Sequence, residues 1–108
     1  MKLSVNQKQL GESPELWLRR AGYIYLPSRD AEPDSFARRL TRDFYPRFHV
    51  YFNVEMKGEQ TMVIFNLHLD QKKPGYAGQN RHNAEYDGAL VEQEAARLNS
   101  LLLPDFFI

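Results

Sequence analysis

Two stretches of strict alternation constrain the chain more than any other feature. Over 48–55, Phe48, Val50, Phe52 and Val54 are separated by His49, Tyr51, Asn53 and Glu55. Over 62–70, Val63, Phe65, Leu67 and Leu69 are separated by Met62, Ile64, Asn66, His68 and Asp70. A strand turns successive side chains to opposite faces, so a period of two gives each segment one apolar face. Lys57-Gly-Glu-Gln60 between them is turn material, and the pair reads as a β-hairpin. The apolar positions are even-numbered in the first segment and odd-numbered in the second. Opposed residues must therefore sum to an odd number if the two oily faces are to coincide. A two-residue Lys57-Gly58 turn gives a sum of 115 and sets Arg47 against His68. A four-residue turn over 57–60 gives 117 and sets His49 against His68. Lys-Gly matches poorly the Asn-Gly or Asp-Gly that two-residue turns favour, which tilts the choice towards 117.

The flanking elements are read from caps and spacing. Ser13-Pro14-Glu15 starts a helix over about Pro14 to Ala21, with Leu16, Trp17 and Ala21 as its buried stripe and Gly22 as its stop. Tyr23-Ile-Tyr-Leu26 reads as a short strand. Phe36, Leu40 and Phe44 recur every four residues and predict a helix over about 34–43, with Arg38, Arg39 and Arg42 mostly off its apolar face. Asp87 is expected to cap a last helix, 88–102, burying Leu90, Val91, Ala95, Leu98 and Leu102. Residues 1–12 are a flexible tail or a short edge strand using Leu3 and Val5. Residues 71–86 form a polar connection, and connections of that length tend to be functional or disordered. The expected fold is α+β: a small antiparallel sheet, made of the 48–55/62–70 hairpin plus one or two short strands, covered on one face by two or three helices. A chain of 108 residues corresponds to one domain, 1–108.

The absence of cysteine excludes disulfides, thiolate metal sites and thiol catalysis. No stretch approaches the roughly 20 apolar residues of a membrane span. The first residues lack the apolar block of a secretory leader, which points to the cytoplasm and to no membrane partner. Fourteen basic and fourteen acidic residues cancel, but they are segregated. Seven arginines and four acids fall between Trp17 and Arg47, Lys72, Lys73 and Arg81 follow within an acid-free stretch, and five acids lie beyond residue 83.

Two sets of residues can carry chemistry. His68, Asp70, His82 and Glu85 offer two imidazoles and two carboxylates, with Asn66 and Asp87 nearby; such a set can hold a divalent metal or move protons. Arg38, Arg42, Arg47, Lys72, Lys73, Tyr76 and Arg81 offer cations interleaved with aromatic rings, which suits phosphates and stacked bases. No GxGxxG, Walker or GxSxG motif occurs. The strings Asp43-Phe-Tyr-Pro-Arg-Phe-His49, Asn66-Leu-His-Leu-Asp-Gln-Lys72 and Glu85-Tyr-Asp-Gly88 resemble those of short uncharacterised bacterial proteins. The resemblance spans about 13–100 and implies a stand-alone unit without implying an activity. The leading expectation is a small non-enzymatic module, without a required cofactor, that binds RNA, DNA or another polyanion. The alternatives are a metal-assisted or acid–base hydrolase centred on His68, Asp70, His82 and Glu85, and an assembly protein that self-associates through the apolar tail Phe106-Phe107-Ile108.

Overall fold

The computed structural model describes residues 1–28, 33–71, 84–85 (as backbone) and 88–104. The hairpin is its centre. Strands β4 (Arg47–Lys57) and β5 (Gln60–Asp70) pair antiparallel along their whole length, each eleven residues long. The register sum is 117: Phe52 faces Phe65, and His49 faces His68. Lys57 itself pairs with Gln60, so the tip is the two residues Gly58-Glu59 rather than a four-residue turn. Gly58 has φ +64°, in the left-handed region that suits glycine. The 115 register would also leave a two-residue tip, but with a lysine in the first tip position. The primed turns that match strand twist need positive φ there, so the placement of glycine favours 117.

The sheet is larger than the sequence predicts. Its order is β1-β5-β4-β3-β2, all antiparallel, with β6 (Ala84–Glu85) added to β5. Strand β1 (Lys2–Asn6) is the edge-strand option for the first residues, setting Leu3 against Phe65 and Val5 against Val63. Only two α-helices occur among the described residues: α1 (Pro14–Arg20) and α2 (Ala89–Ser100). The expected two- or three-helix cover over a small sheet is therefore overturned. Its middle helix, 34–43, is strand β3 (Ser35–Arg39), lying between β2 (Ile24–Leu26) and β4.

The physical reason is visible in the three residues that suggested a helix. Phe36 is buried, but Leu40 is 37% and Phe44 63% exposed, so they never share a buried stripe. Asp34 caps no helix either. Its carboxylate accepts the backbone N–H of Ser28 at 2.9 Å and closes the β2–β3 connection.

Both helices lie on the apolar face of the sheet. The Ser13 side chain caps α1 by accepting the Leu16 N–H at 3.3 Å, and Gly22 follows the helix at φ +102°. Trp17 stacks on Phe65 at 5.3 Å between ring centroids, and Leu18 is fully buried. Leu16, expected inside, is half-exposed. Helix α2 has Gly88 at its N-cap position, the expected cap Asp87 lying outside the described residues, and it buries Val91, Glu94, Ala95 and Leu98 while Leu90 stays exposed. The core is continuous from these helices through Val50, Val63, Phe65, Leu67 and Leu69. No helix among the described residues is long and apolar enough to cross a membrane. Most of the 71–86 connection, and the apolar tail from residue 105, lie outside the described residues.

Strand and helix make different mutational predictions for 34–44. With β3 as a strand, Phe36→Ala costs about 3–5 kcal/mol, the usual range for emptying a buried aromatic site. Phe44→Ala costs less than about 1 kcal/mol, because an exposed ring has little packing to lose. Urea denaturation of the two variants measures both. Equal large losses would restore the helical face and refute the strand.

Candidate metal centre

The polar face of the hairpin holds the group of interest. Residues directly opposed on neighbouring strands share a face, so the register builds two rows across β5, β4 and β3. One row is Asp70–Arg47–Arg39 and the next is His68–His49–Ala37. On one face, successive rows are about 7 Å apart and neighbouring strands about 4.8 Å apart.

Within this patch three side chains converge. His49 Nδ1 lies 2.9 Å from His68 Nε2, His68 Nε2 lies 3.0 Å from Asp70 Oδ1, and His49 Nδ1 lies 3.6 Å from Asp70 Oδ2. One ligand atom from each of the three residues fits within 4.8 Å of the others. All three side chains are largely covered, being 22%, 9% and 19% exposed. The Tyr51 ring stands edge-on to both imidazoles, at 6.5 and 6.4 Å.

The proton between the two imidazoles can be placed in more than one way. A neutral imidazole carries one N–H, and its other nitrogen is a lone pair. If His49 Nδ1 donates to His68 Nε2, then His68 Nε2 presents its lone pair to the Asp70 carboxylate. If His68 Nε2 holds the proton instead, it must divide that proton between Asp70 and His49. Imidazole nitrogens and a carboxylate thus face one small space, a donor set of the kind that holds a cation.

The charge states suit a ligand role. Burial, the largest influence, lowers His49 to about 4; the Asp70 charge opposes it, and His68 and Arg47 add to it. His49 is thus neutral at physiological pH, with a lone pair available for coordination. Burial alone would raise the Asp70 carboxyl. The His68 hydrogen bond, the histidine charges and the Arg47 hydrogen bond together outweigh burial and hold it below the usual range. Arg47 Nε donates to Asp70 Oδ2 at 3.2 Å, which orients the carboxylate while its guanidinium lies over the Tyr45 ring.

The sequence candidates separate in space. His68 and Asp70 are joined in one cluster, and His49 completes it. The signal for His49 was its place opposite His68 in the 117 register. The Glu85 backbone pairs with Leu69, between the positions of His68 and Asp70. His82, Lys72, Lys73, Tyr76 and Arg81 lie outside the described residues. Arg47 and the exposed Arg42 belong to the β3–β4 corner beside the cluster. Arg38 does not: it pairs with Phe48 on the helix side and reaches Glu94 at 3.5 Å.

Glu94 anchors a second ionic group, on the opposite side of the sheet. It is 3% exposed, accepts from Tyr23 Oη at 2.5 Å, and takes two hydrogen bonds from Arg97, at 2.7 and 2.9 Å. Arg97 also donates to the Ala21 carbonyl at 2.7 Å, tying α2 to the end of α1. Burial and the Glu94 bond drive the Tyr23 phenol well above its ordinary pKa, so it stays a neutral donor. The sequence signal for Glu94 is its position among Val91, Ala95 and Leu98, in the apolar spacing of α2. Beside this group a cleft of about 230 Å³ is lined by Arg38, Leu40, Phe48, Leu90, Gln93, Glu94 and Arg97.

The chain was compared with protein-family models, curated proteins and solved structures, and none matched. The fold and the site therefore define only a class: an antiparallel α+β sheet protein carrying a two-histidine, one-carboxylate cluster.

Two outcomes follow from these groups. An unfolded histidine titrates near 6.5, whereas His49 in the fold stays neutral down to about 4. Between those values the unfolded chain binds the extra proton, so stability falls as pH drops through that window and levels off below it. Denaturation midpoints measured with chelator at several pH values give the slope, and His49→Gln flattens it; an unchanged slope would show that His49 does not titrate this way. On the other side of the sheet, Glu94→Ala strands Arg97 and Tyr23 and costs about 3–5 kcal/mol. A loss under about 1 kcal/mol would mean the group is solvated.

Proposed function

We propose that this protein is a divalent-metal-dependent hydrolase whose metal is held by His49, His68 and Asp70. The observation that carries the reading is the convergence of three donor atoms within 4.8 Å on neighbouring strands. Donors placed about 2.0–2.2 Å from an ion stand about 2.8–3.1 Å from one another at octahedral edges and about 3.3–3.6 Å at tetrahedral edges. The 2.9 Å between the imidazole nitrogens and the 3.0 Å from His68 Nε2 to Asp70 Oδ1 are close to those edges, while the 3.6 Å from His49 Nδ1 is to the other carboxylate oxygen, Oδ2.

The donor types narrow the metal. Two imidazoles and a carboxylate suit zinc, iron or manganese better than calcium or magnesium, which prefer all-oxygen shells. Structural zinc sites are usually closed by four protein ligands, whereas catalytic sites keep a position for water. Three protein ligands, as in the His49, His68 and Asp70 set, are the number such catalytic sites use. A bound ion would lower the pKa of a coordinated water and polarise the bond to be split. Arg47 would act as the outer partner that fixes the carboxylate, a common companion of ligating side chains.

Elemental analysis of untagged protein, followed by calorimetric titration of the chelator-treated protein with zinc and manganese, tests the reading. About one ion per chain is expected. His49→Ala and Asp70→Asn each weaken binding by at least about tenfold. Protein that carries no ion, and whose melting temperature does not move with either metal, rules the hydrolase out.

A further inference from the structure

The β3–β4 corner stands beside the cluster and has a composition that core packing does not require. Arg39 and Arg47 are opposed in register, although like charges directly across a strand pair are destabilising. Each guanidinium lies over an aromatic ring: Arg39 over Phe44 at 4.4 Å, and Arg47 over Tyr45 at 4.8 Å. Phe44 is 63% exposed and belongs to no apolar cluster among the described residues. Arg39 Nη1 also holds the Arg42 carbonyl at 3.2 Å, fixing the shape of the corner. Among the described residues no carboxylate forms an ion pair with Arg39 or Arg42, whereas Arg47 is paired with Asp70.

The row Asp70–Arg47–Arg39 therefore runs from the cluster to an unneutralised cation over two strand spacings, about 10 Å. Exposed rings with cations laid over them offer π-faces for bases and charge for phosphates, the combination that binds single strands irrespective of sequence. Base faces in a duplex are covered by stacking and cannot reach Phe44. An acidic protein segment would use the cations but would leave the rings without a role.

From this geometry we infer that the substrate of the cluster is a single-stranded nucleic acid. One phosphodiester would lie at His49, His68 and Asp70, and the neighbouring nucleotides would lie on Arg39, Arg42 and Phe44. The inference rests on the hydrolase reading of the same site. The reaction adds one water across a phosphodiester. The water oxygen bonds to phosphorus, the bond from phosphorus to the departing sugar oxygen breaks, and that oxygen leaves with a proton from the water.

Strand binding can be measured apart from catalysis. Chelator-treated protein is titrated at low salt into a labelled oligonucleotide, as a single strand and as its duplex, and followed by fluorescence anisotropy. Tighter binding of the single strand is expected. Arg39→Glu/Arg42→Glu weakens it by tenfold or more, and Phe44→Ala by about fivefold or more, the effect of losing one stacked base. These positions are exposed, and calorimetry should show metal uptake unchanged in the variants. With zinc or manganese restored, the parent shortens the single strand and Asp70→Asn does not. Equal affinity for strand and duplex, or variants that bind as the parent does, overturns the inference even where the metal binds. Strand binding without metal uptake removes the hydrolase reading instead, and with it the strand's role as substrate.

Discussion

The pairing of β4 with β5 is the constraint on which the rest depends. It decides which side chains are inside and which histidines meet. A slip of one residue would turn a strand's apolar set to the wrong face. Fully burying Val50, Val63, Phe65, Leu67 and Leu69 is worth about 1.5–3 kcal/mol each, so the odd-sum registers win by a wide margin. A slip of two residues is subtler, because it keeps every face intact. At 115 the core would still form, but Arg47 would face His68 and the histidine pair would be broken. Core packing restricts the choice to odd sums, and Gly58 at positive φ supports 117. The meeting of His49, His68 and Asp70 thus depends on a turn residue more than 20 Å along the strands, at roughly 3.3 Å per residue.

The two faces of this sheet handle buried charge differently. On the helix side, Glu94 is matched completely: a bidentate arginine, a phenol and a second, longer arginine contact surround it. Its hydrogen bonds join α2 to the Tyr23 segment that leads into β2, and Arg97 carries the tie on to the end of α1. On the polar side, His49, His68 and Asp70 bring two imidazoles and a carboxylate together, with desolvation holding His49 neutral. A fully matched ionic network fixes structure, while converging imidazoles and a carboxylate are the donor types that suit a cation. This contrast, more than residue type, separates the structural group from the candidate site.

The hairpin was legible in the sequence because alternation sustained over eight or nine residues fits a half-buried strand and no helix. The first helix was legible from its cap, proline and glycine. The 34–43 segment was not. Phe36, Leu40 and Phe44 fit a four-residue spacing, but tertiary pairing with β2 and β4 outweighs a spacing of three residues. Nothing local says that Leu40 and Phe44 stay in water. The arginines illustrate the same limit. Arg38, Arg39 and Arg42 looked alike as a helix face, yet in a strand the neighbours Arg38 and Arg39 point to opposite sides of the sheet. Two of the three site residues were readable: His68 and Asp70 stand two apart in one strand, and His49 joins them only through the register. Glu94 was hidden because a single acid within a helical stripe looks like surface.

Charge links the cluster to the corner beside it. As it stands Arg47 offsets Asp70, and His49 carries no charge at physiological pH. A divalent ion on those ligands would add two positive charges next to Arg47 and Arg39. It would also compete with Arg47 for the Asp70 carboxylate, loosening the ion pair and leaving that guanidinium available to an anion. Metal and anion affinities would then rise together, and linkage makes the effect reciprocal, so a bound phosphate would tighten the metal as much as the metal tightens the phosphate. An apo site flanked by Arg39 would bind each of the two partners less well alone than in the presence of the other.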